Sequence, residues 1–174
     1  WLITCRHVVA EKKSVEVFFP WRRNGKLVTD RQEYLSNREE LRKLGLLVNG
    51  KVVRKSDEKD LALVELDSVL AGMKGVAFST REVRPGDPLV LIGNRHDLEM
   101  LWSSTVGPVR SFGPLTDGYF WRSSKLAVGT SAILGQLPME EGDSGGPVLN
   151  DRGELVAMAA ALRRRTPLAA VLIN

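Results

Sequence analysis

The sequence predicts an all-β fold, a sandwich or barrel built from short strands. Short apolar runs recur along the chain, each broken by Gly, Pro or Asn. Between them stand dipeptides with hairpin chemistry: Asn24-Gly25, Asn49-Gly50, Asp117-Gly118, and the triplet Asp151-Arg152-Gly153. At 174 residues, 43% hydrophobic and 26% charged, the chain can bury a core as one domain or two small lobes.

Taken in order, strands are expected at Leu2–Thr4 and Val15–Phe19, with a hairpin turn at Asn24-Gly25. Residues Asp30–Leu44 break the pattern. They are dense in Arg and Glu, and Leu41 and Leu44 share helical i,i+3 spacing while Leu35 sits off it. This stretch reads as an inserted helix or long loop, more simply a solvated insertion than a docking element. Strands resume at Leu46–Val48, Lys51–Val53 and Leu61–Leu66. Asp67–Pro85, with Gly72, Gly75 and Ser79 and no strict periodicity, is the expected junction between lobes at residues 1–75 and 76–174. Further strands follow at Leu89–Ile92, Leu126–Ala127, Val148–Leu149, Leu155–Met158 and Ala169–Ile173.

Composition narrows the classes. No apolar run reaches the length of a membrane span, and no signal peptide is recognisable. The single cysteine, Cys5, excludes an internal disulfide and favours a soluble, bacterial or intracellular setting. Its simplest role is a small buried hydrophobe behind His7. The net charge of +4 includes the runs Arg22-Arg23 and Arg163-Arg164-Arg165, but no aromatic interleaving accompanies them. Nucleic acid is therefore not expected as a partner, and the triple-arginine run reads as a solvated hairpin tip. Two separated histidines and one cysteine make no metal-ligand spacing, so neither metal nor cofactor is expected.

The most informative local feature is Gly142-Asp143-Ser144-Gly145-Gly146-Pro147. A serine flanked this densely by glycine sits in a tight turn open to a substrate carbonyl. Backbone N–H groups of such a turn can hold a developing oxyanion. A base and an orienting acid occur upstream. His7 closes an apolar run, and Asp60 heads the run Leu61–Leu66. The Gly-x-Ser-x-Gly pattern also fits the nucleophile elbow of α/β-hydrolases, where histidine follows serine; no histidine follows Ser144, so that reading fails. His96, in a polar turn, is expected to be exposed and non-catalytic, and Asp57 is the weaker competitor to Asp60.

The order His7, Asp60, Ser144 is that of chymotrypsin-fold enzymes, and the blocks Leu2–Val9, Asp60–Leu66 and Gly142–Pro147 resemble the signature blocks of trypsin-like serine proteases. Val83–Asp87, Val90–Asn94, Thr105–Val109 and Gly153–Ala157 are similar to the bacterial Deg/HtrA branch. The resemblance touches most of the chain except roughly residues 20–55. One departure is Asp143, where that branch commonly has asparagine; what satisfies its carboxylate is left open by the sequence.

The resemblance implies two packed six-stranded Greek-key β-barrels, here lacking the first strand because His7 lies so near the first residue, with the helical or loop insertion in the first barrel. It also implies a serine endopeptidase acting on peptides or proteins. His7, Asp60 and Ser144 would be catalytic, with the amides of Gly142 and Ser144 as the oxyanion hole. The position near the base of the substrate pocket is Pro138, not an acid, and the opposite wall falls at about Met158, Ala159 and Ala160. A small to medium aliphatic substrate side chain is expected, not Arg or Lys. Other domains of a longer parent chain are an expected possibility. The competing class is a regulated or inactive protease-fold module that binds peptides.

Overall fold

The computed structural model describes residues 1–96, 99–115, 119–121, 124–163 and 166–172. Four strands form an open antiparallel sheet: β1 (Leu2–Cys5), β2 (Ser14–Phe18), β5 (Leu47–Ser56) and β6 (Leu61–Leu66), in the order β1-β6-β5-β2. The resemblance implied a first barrel of six strands less the first; this sheet has four strands, with β3 and β4 paired apart from it. A four-residue helix, α1 (Arg6–Val9), follows β1 directly. Val64 and Ala62 of β6 point inward with Val9 at 2% exposure or less, the two-residue period of a half-buried strand.

Between β2 and β5 lie a small hairpin, β3 (Arg22–Arg23) and β4 (Lys26–Leu27), and two short helices, α2 (Arg31–Ser36) and α3 (Arg38–Lys43). The hairpin turns through Asn24 and Gly25, both at positive φ (51° and 76°), as its sequence predicted. Asp30 caps α2 by accepting the Gln32 N–H at 2.8 Å. The side chains buried from these helices are Tyr34 and Leu41, while Leu35 and Leu44 are exposed.

One sequence expectation is corrected. Asn49-Gly50 is not a hairpin turn but lies inside the continuous strand β5, paired with β2 and β6 on its two sides. Glycine there serves close approach: a Cβ on Gly50 would lie 2.5 Å from Val64 Cγ1.

The remaining strands, β7 (Pro88–Gly93), β8 (Ser103–Pro114), β11 (Ser131–Gly135), β12 (Pro147–Leu149), β13 (Leu155–Arg163) and β14 (Thr166–Leu172), close into a barrel ordered β11-β14-β13-β12-β7-β8. A separate pair, β9 (Tyr119–Trp121) and β10 (Ser124–Leu126), lies outside that ring. The strand at Ser131–Gly135 was not anticipated. Asp117-Gly118, Arg164-Arg165 and Ile173 lie outside the described residues.

Leu89, Leu91, Val109, Ile133, Leu137 and Val148 fill the barrel interior. Replacing one of them leaves a cavity that a closed ring of strands relaxes into poorly. We expect Leu91→Ala, at a site 1% exposed, to lose about 2–5 kcal/mol of stability in urea titration.

Candidate active site

The end of β1, the start of β6 and the glycine turn before β12 converge. At the end of β1 the chain turns into α1, and two main-chain N–H groups there are taken by one residue. Arg6 N–H donates to Asp60 O at 2.8 Å, and His7 N–H donates to Asp60 Oδ1 at 3.0 Å. The second carboxylate oxygen, Oδ2, lies 2.5 Å from His7 Nδ1. Both side chains are shielded, His7 at 14% and Asp60 at 3% exposure, so the pair is screened little by water. Asp60 adopts φ +51°, a left-handed conformation that aspartate tolerates and most side chains do not. Asp57 faces Arg6 instead, leaving Asp60 as the histidine's partner.

Cys5 packs behind this pair, fully buried, and its thiol donates to Ala159 O at 3.1 Å. Burial, and next the negative charge of Asp60, push the thiol up to about 12. Cys5, His7 and Asp60 bring three donor atoms within 4.8 Å of one another. The Cys5 thiol donates to Ala159 O and His7 Nδ1 faces Asp60 Oδ2, so in this structure the three groups are tied into hydrogen bonds.

The serine turn is held against these residues by its glycines. Gly145, at φ +81°, lies so close to β1 that a Cβ would overlap Thr4 Oγ1 and sit 3.1 Å from Cys5 N. Its N–H donates to Ala159 O at 2.8 Å, and Ala159 N–H returns a bond to Gly146 O at 3.0 Å. Gly142, at φ +100°, abuts Asn94 O, where a side chain would overlap. Asp143 is 3% exposed; its Oδ2 accepts the Glu140 N–H at 2.9 Å, and its carboxylate fills the space beside Gly93. That contact answers part of the question the sequence left about Asp143.

Ser144 is half-buried on the turn between Gly142 and Gly145. Among the described residues its hydroxyl makes no hydrogen bond to His7, and neither the Gly142 nor the Ser144 N–H has an acceptor. The amides of Glu140, Asp143, Gly145 and Gly146 around them are all bonded within the protein.

The residues anticipated for the substrate pocket, and His96, lie around this centre. Pro138 is exposed. Met158, Ala159 and Ala160 are at most 2% exposed; Ala159 faces the barrel interior, and Met158 and Ala160 pack with Cys5, Leu115 and Leu126. They offer no open wall in this arrangement. His96 has an exposed side chain, as expected, but its N–H donates to Glu141 O at 2.8 Å. Sequence reasoning missed this main-chain role, since a backbone bond leaves no residue-type signal.

A sheet and a closed barrel meeting at a histidine–aspartate pair and a glycine-bound serine are the arrangement of the trypsin-like peptidase fold. The chain belongs to the trypsin-like peptidase domain family, whose model matches residues 1–158. It is similar to the serine protease HtrA-like of Staphylococcus aureus, 24% identical over 162 residues that cover 92% of this chain and 18% of that protein. The chain thus spans less than a fifth of the length of the curated relatives it matches. In solved structures, the Rv3671c protease in its inactive form matches with a TM-score of 0.67 at 18% identity, covering 98% of this chain and 71% of that one. The HtrA-type protease AlgW, solved with a decapeptide, matches with a TM-score of 0.68 at 19% identity, covering 98% and 44%. The resemblance to the Deg/HtrA branch is borne out. Among the described residues no helix is long and apolar enough to cross a membrane.

Proposed function

We propose that this chain carries the catalytic centre of a serine endopeptidase, with Ser144 as nucleophile, His7 as general base and Asp60 as its orienting acid. The observation that carries the reading is the His7 Nδ1–Asp60 Oδ2 pair at 2.5 Å, beside a serine turn docked on the same strand end. Asp60 accepting at Nδ1 leaves the proton-free Nε2 to take the hydroxyl proton of Ser144 as it attacks the carbonyl. His7 then returns that proton to the leaving amine, and water repeats the cycle on the acyl-enzyme. The amides of Gly142 and Ser144, without an acceptor among the described residues, would be the oxyanion donors.

On this reading the histidine and aspartate belong to a first lobe at residues 1–75 and the serine to a second at 76–174. Peptides or proteins are the substrates, as the decapeptide bound to AlgW suggests by likeness. An uncharged Pro138 argues for a small to medium aliphatic side chain over Arg or Lys. Labelling with a fluorophosphonate probe tests the proposal. Wild-type protein is expected to label, and Ser144→Ala to lose the label entirely. A folded wild type that fails to label would leave instead a protease-fold module that binds peptides.

A further inference from the structure

Outside the motifs that carry the family resemblance, Tyr34 of α2 stands at the centre of a hydrogen-bond cluster. It is 1% exposed. Its hydroxyl accepts the Trp21 N–H at 2.7 Å and the Trp102 Nε1–H at 3.0 Å, and donates to Val28 O at 3.1 Å. Phe18 and Trp21 meet its ring edge-on, at centroid separations of 5.8 and 6.0 Å. Trp102 belongs to the connection between β7 and β8 of the barrel, so this cluster joins the two halves of the fold.

The junction is more than one side chain. Arg31 N–H donates to Glu99 O at 3.0 Å, and Leu101 N–H donates to Thr29 O at 2.8 Å. Asp30 and Met100 form an antiparallel bridge between them. Trp102 itself sits at φ +61°, which a bulky residue adopts only where its surroundings hold it. One hold is the indole bond to Tyr34; the other is the Trp102 N–H donating to Asn94 Oδ1 at 3.0 Å.

Asn94 leads to the serine turn. Its carbonyl fills the space beside the Gly142 Cα, and two residues on, His96 N–H donates to Glu141 O at 2.8 Å. A trans peptide points its C=O and the following N–H in opposite directions, and the described chain has no cis peptide. Holding Glu141 O against His96 therefore turns the Gly142 N–H away from that segment.

We infer that Tyr34 is a positioning residue for the Gly142 amide, acting through Trp102 and Asn94. The inference rests on the reading of Gly142 as an oxyanion donor. Removing the Tyr34 hydroxyl leaves the buried Trp21 N–H and the part-buried Trp102 Nε1–H without their acceptor. Trp102 then loses one of its two holds, and the Glu141–Gly142 peptide gains freedom to rotate.

The test uses Tyr34→Phe, Trp102→Phe and the double variant. Hydrogen–deuterium exchange of the segment 139–145 is measured beside the barrel segment 89–92. Exchange at 139–145 is expected to accelerate about fivefold in either single variant, with no further gain in the double and no change at 89–92. On a peptide substrate, kcat should fall about tenfold at constant KM, a fraction of the loss that follows removal of a whole oxyanion donor. Affinity for a peptide boronate, which forms the tetrahedral adduct, should fall in parallel. Unchanged exchange at 139–145, or acceleration spread equally to 89–92, would overturn the inference. If the wild type turns over no peptide, the protease reading fails, yet the exchange experiment still decides the coupling. Trp102 is only half-buried, so its variant carries the test if Tyr34→Phe does not fold.

Discussion

His7→Ala is expected to lower kcat by about 10⁶, and His7→Ala combined with Ser144→Ala to be no slower than either alone. The reason lies in shared labour. Without a base, the Ser144 hydroxyl is a weak nucleophile, and without the hydroxyl the base has no proton to take. What survives is the contribution of the amides at Gly142 and Ser144 and of substrate binding, on the order of 10³–10⁴ over water. Steady-state hydrolysis of a peptide by the single and double variants checks the expectation. Additive losses would mean that the two residues act in separate steps.

Asp60→Asn should cost about 10⁴ in kcat with little change in stability. Asparagine tolerates φ +51° as aspartate does, so the backbone need not shift. The loss comes from hydrogen-bond direction. Oδ1 of residue 60 accepts the His7 N–H at 3.0 Å, and an asparagine keeps that bond only by placing its carbonyl there. The amide nitrogen then faces His7 Nδ1 and donates to it. Nδ1 becomes the acceptor, the ring proton moves to Nε2, and the base presents an N–H to Ser144. Kinetics beside thermal unfolding separate this tautomer effect from simple damage to the fold; a variant retaining most of its kcat would show that Asp60 does not set the tautomer.

Much of this site was legible because its residue types are demanded by geometry. Gly142 and Gly145 stand where a side chain would overlap Asn94 O or Thr4 Oγ1, and that crowding appears in the sequence as glycine density around Ser144. Asp60 was legible by its place before the apolar strand β6. The same glycine logic misled at Asn49-Gly50, where the residue makes room for Val64 in mid-strand and no local pattern separates the two uses. In the helical segment, reading leucines alone missed Tyr34, which is buried while its neighbour Leu35 is exposed. The prop formed by His96 on Glu141 was invisible for a different reason. Main-chain bonds across long separations depend on how two connections are laid side by side, which residue identity does not encode.

The sealed position of Cys5 gives the molecule an internal clock. It is the chain's one cysteine, it lies beneath the strand end that the serine turn rests on, and its thiol is held protonated. A thiol reagent can reach it only when the packing of Ile3, Leu61, Met158 and Ala160 around it opens, so alkylation counts those openings. The protein therefore carries its own gauge of how often the core beneath the site opens, independent of any substrate.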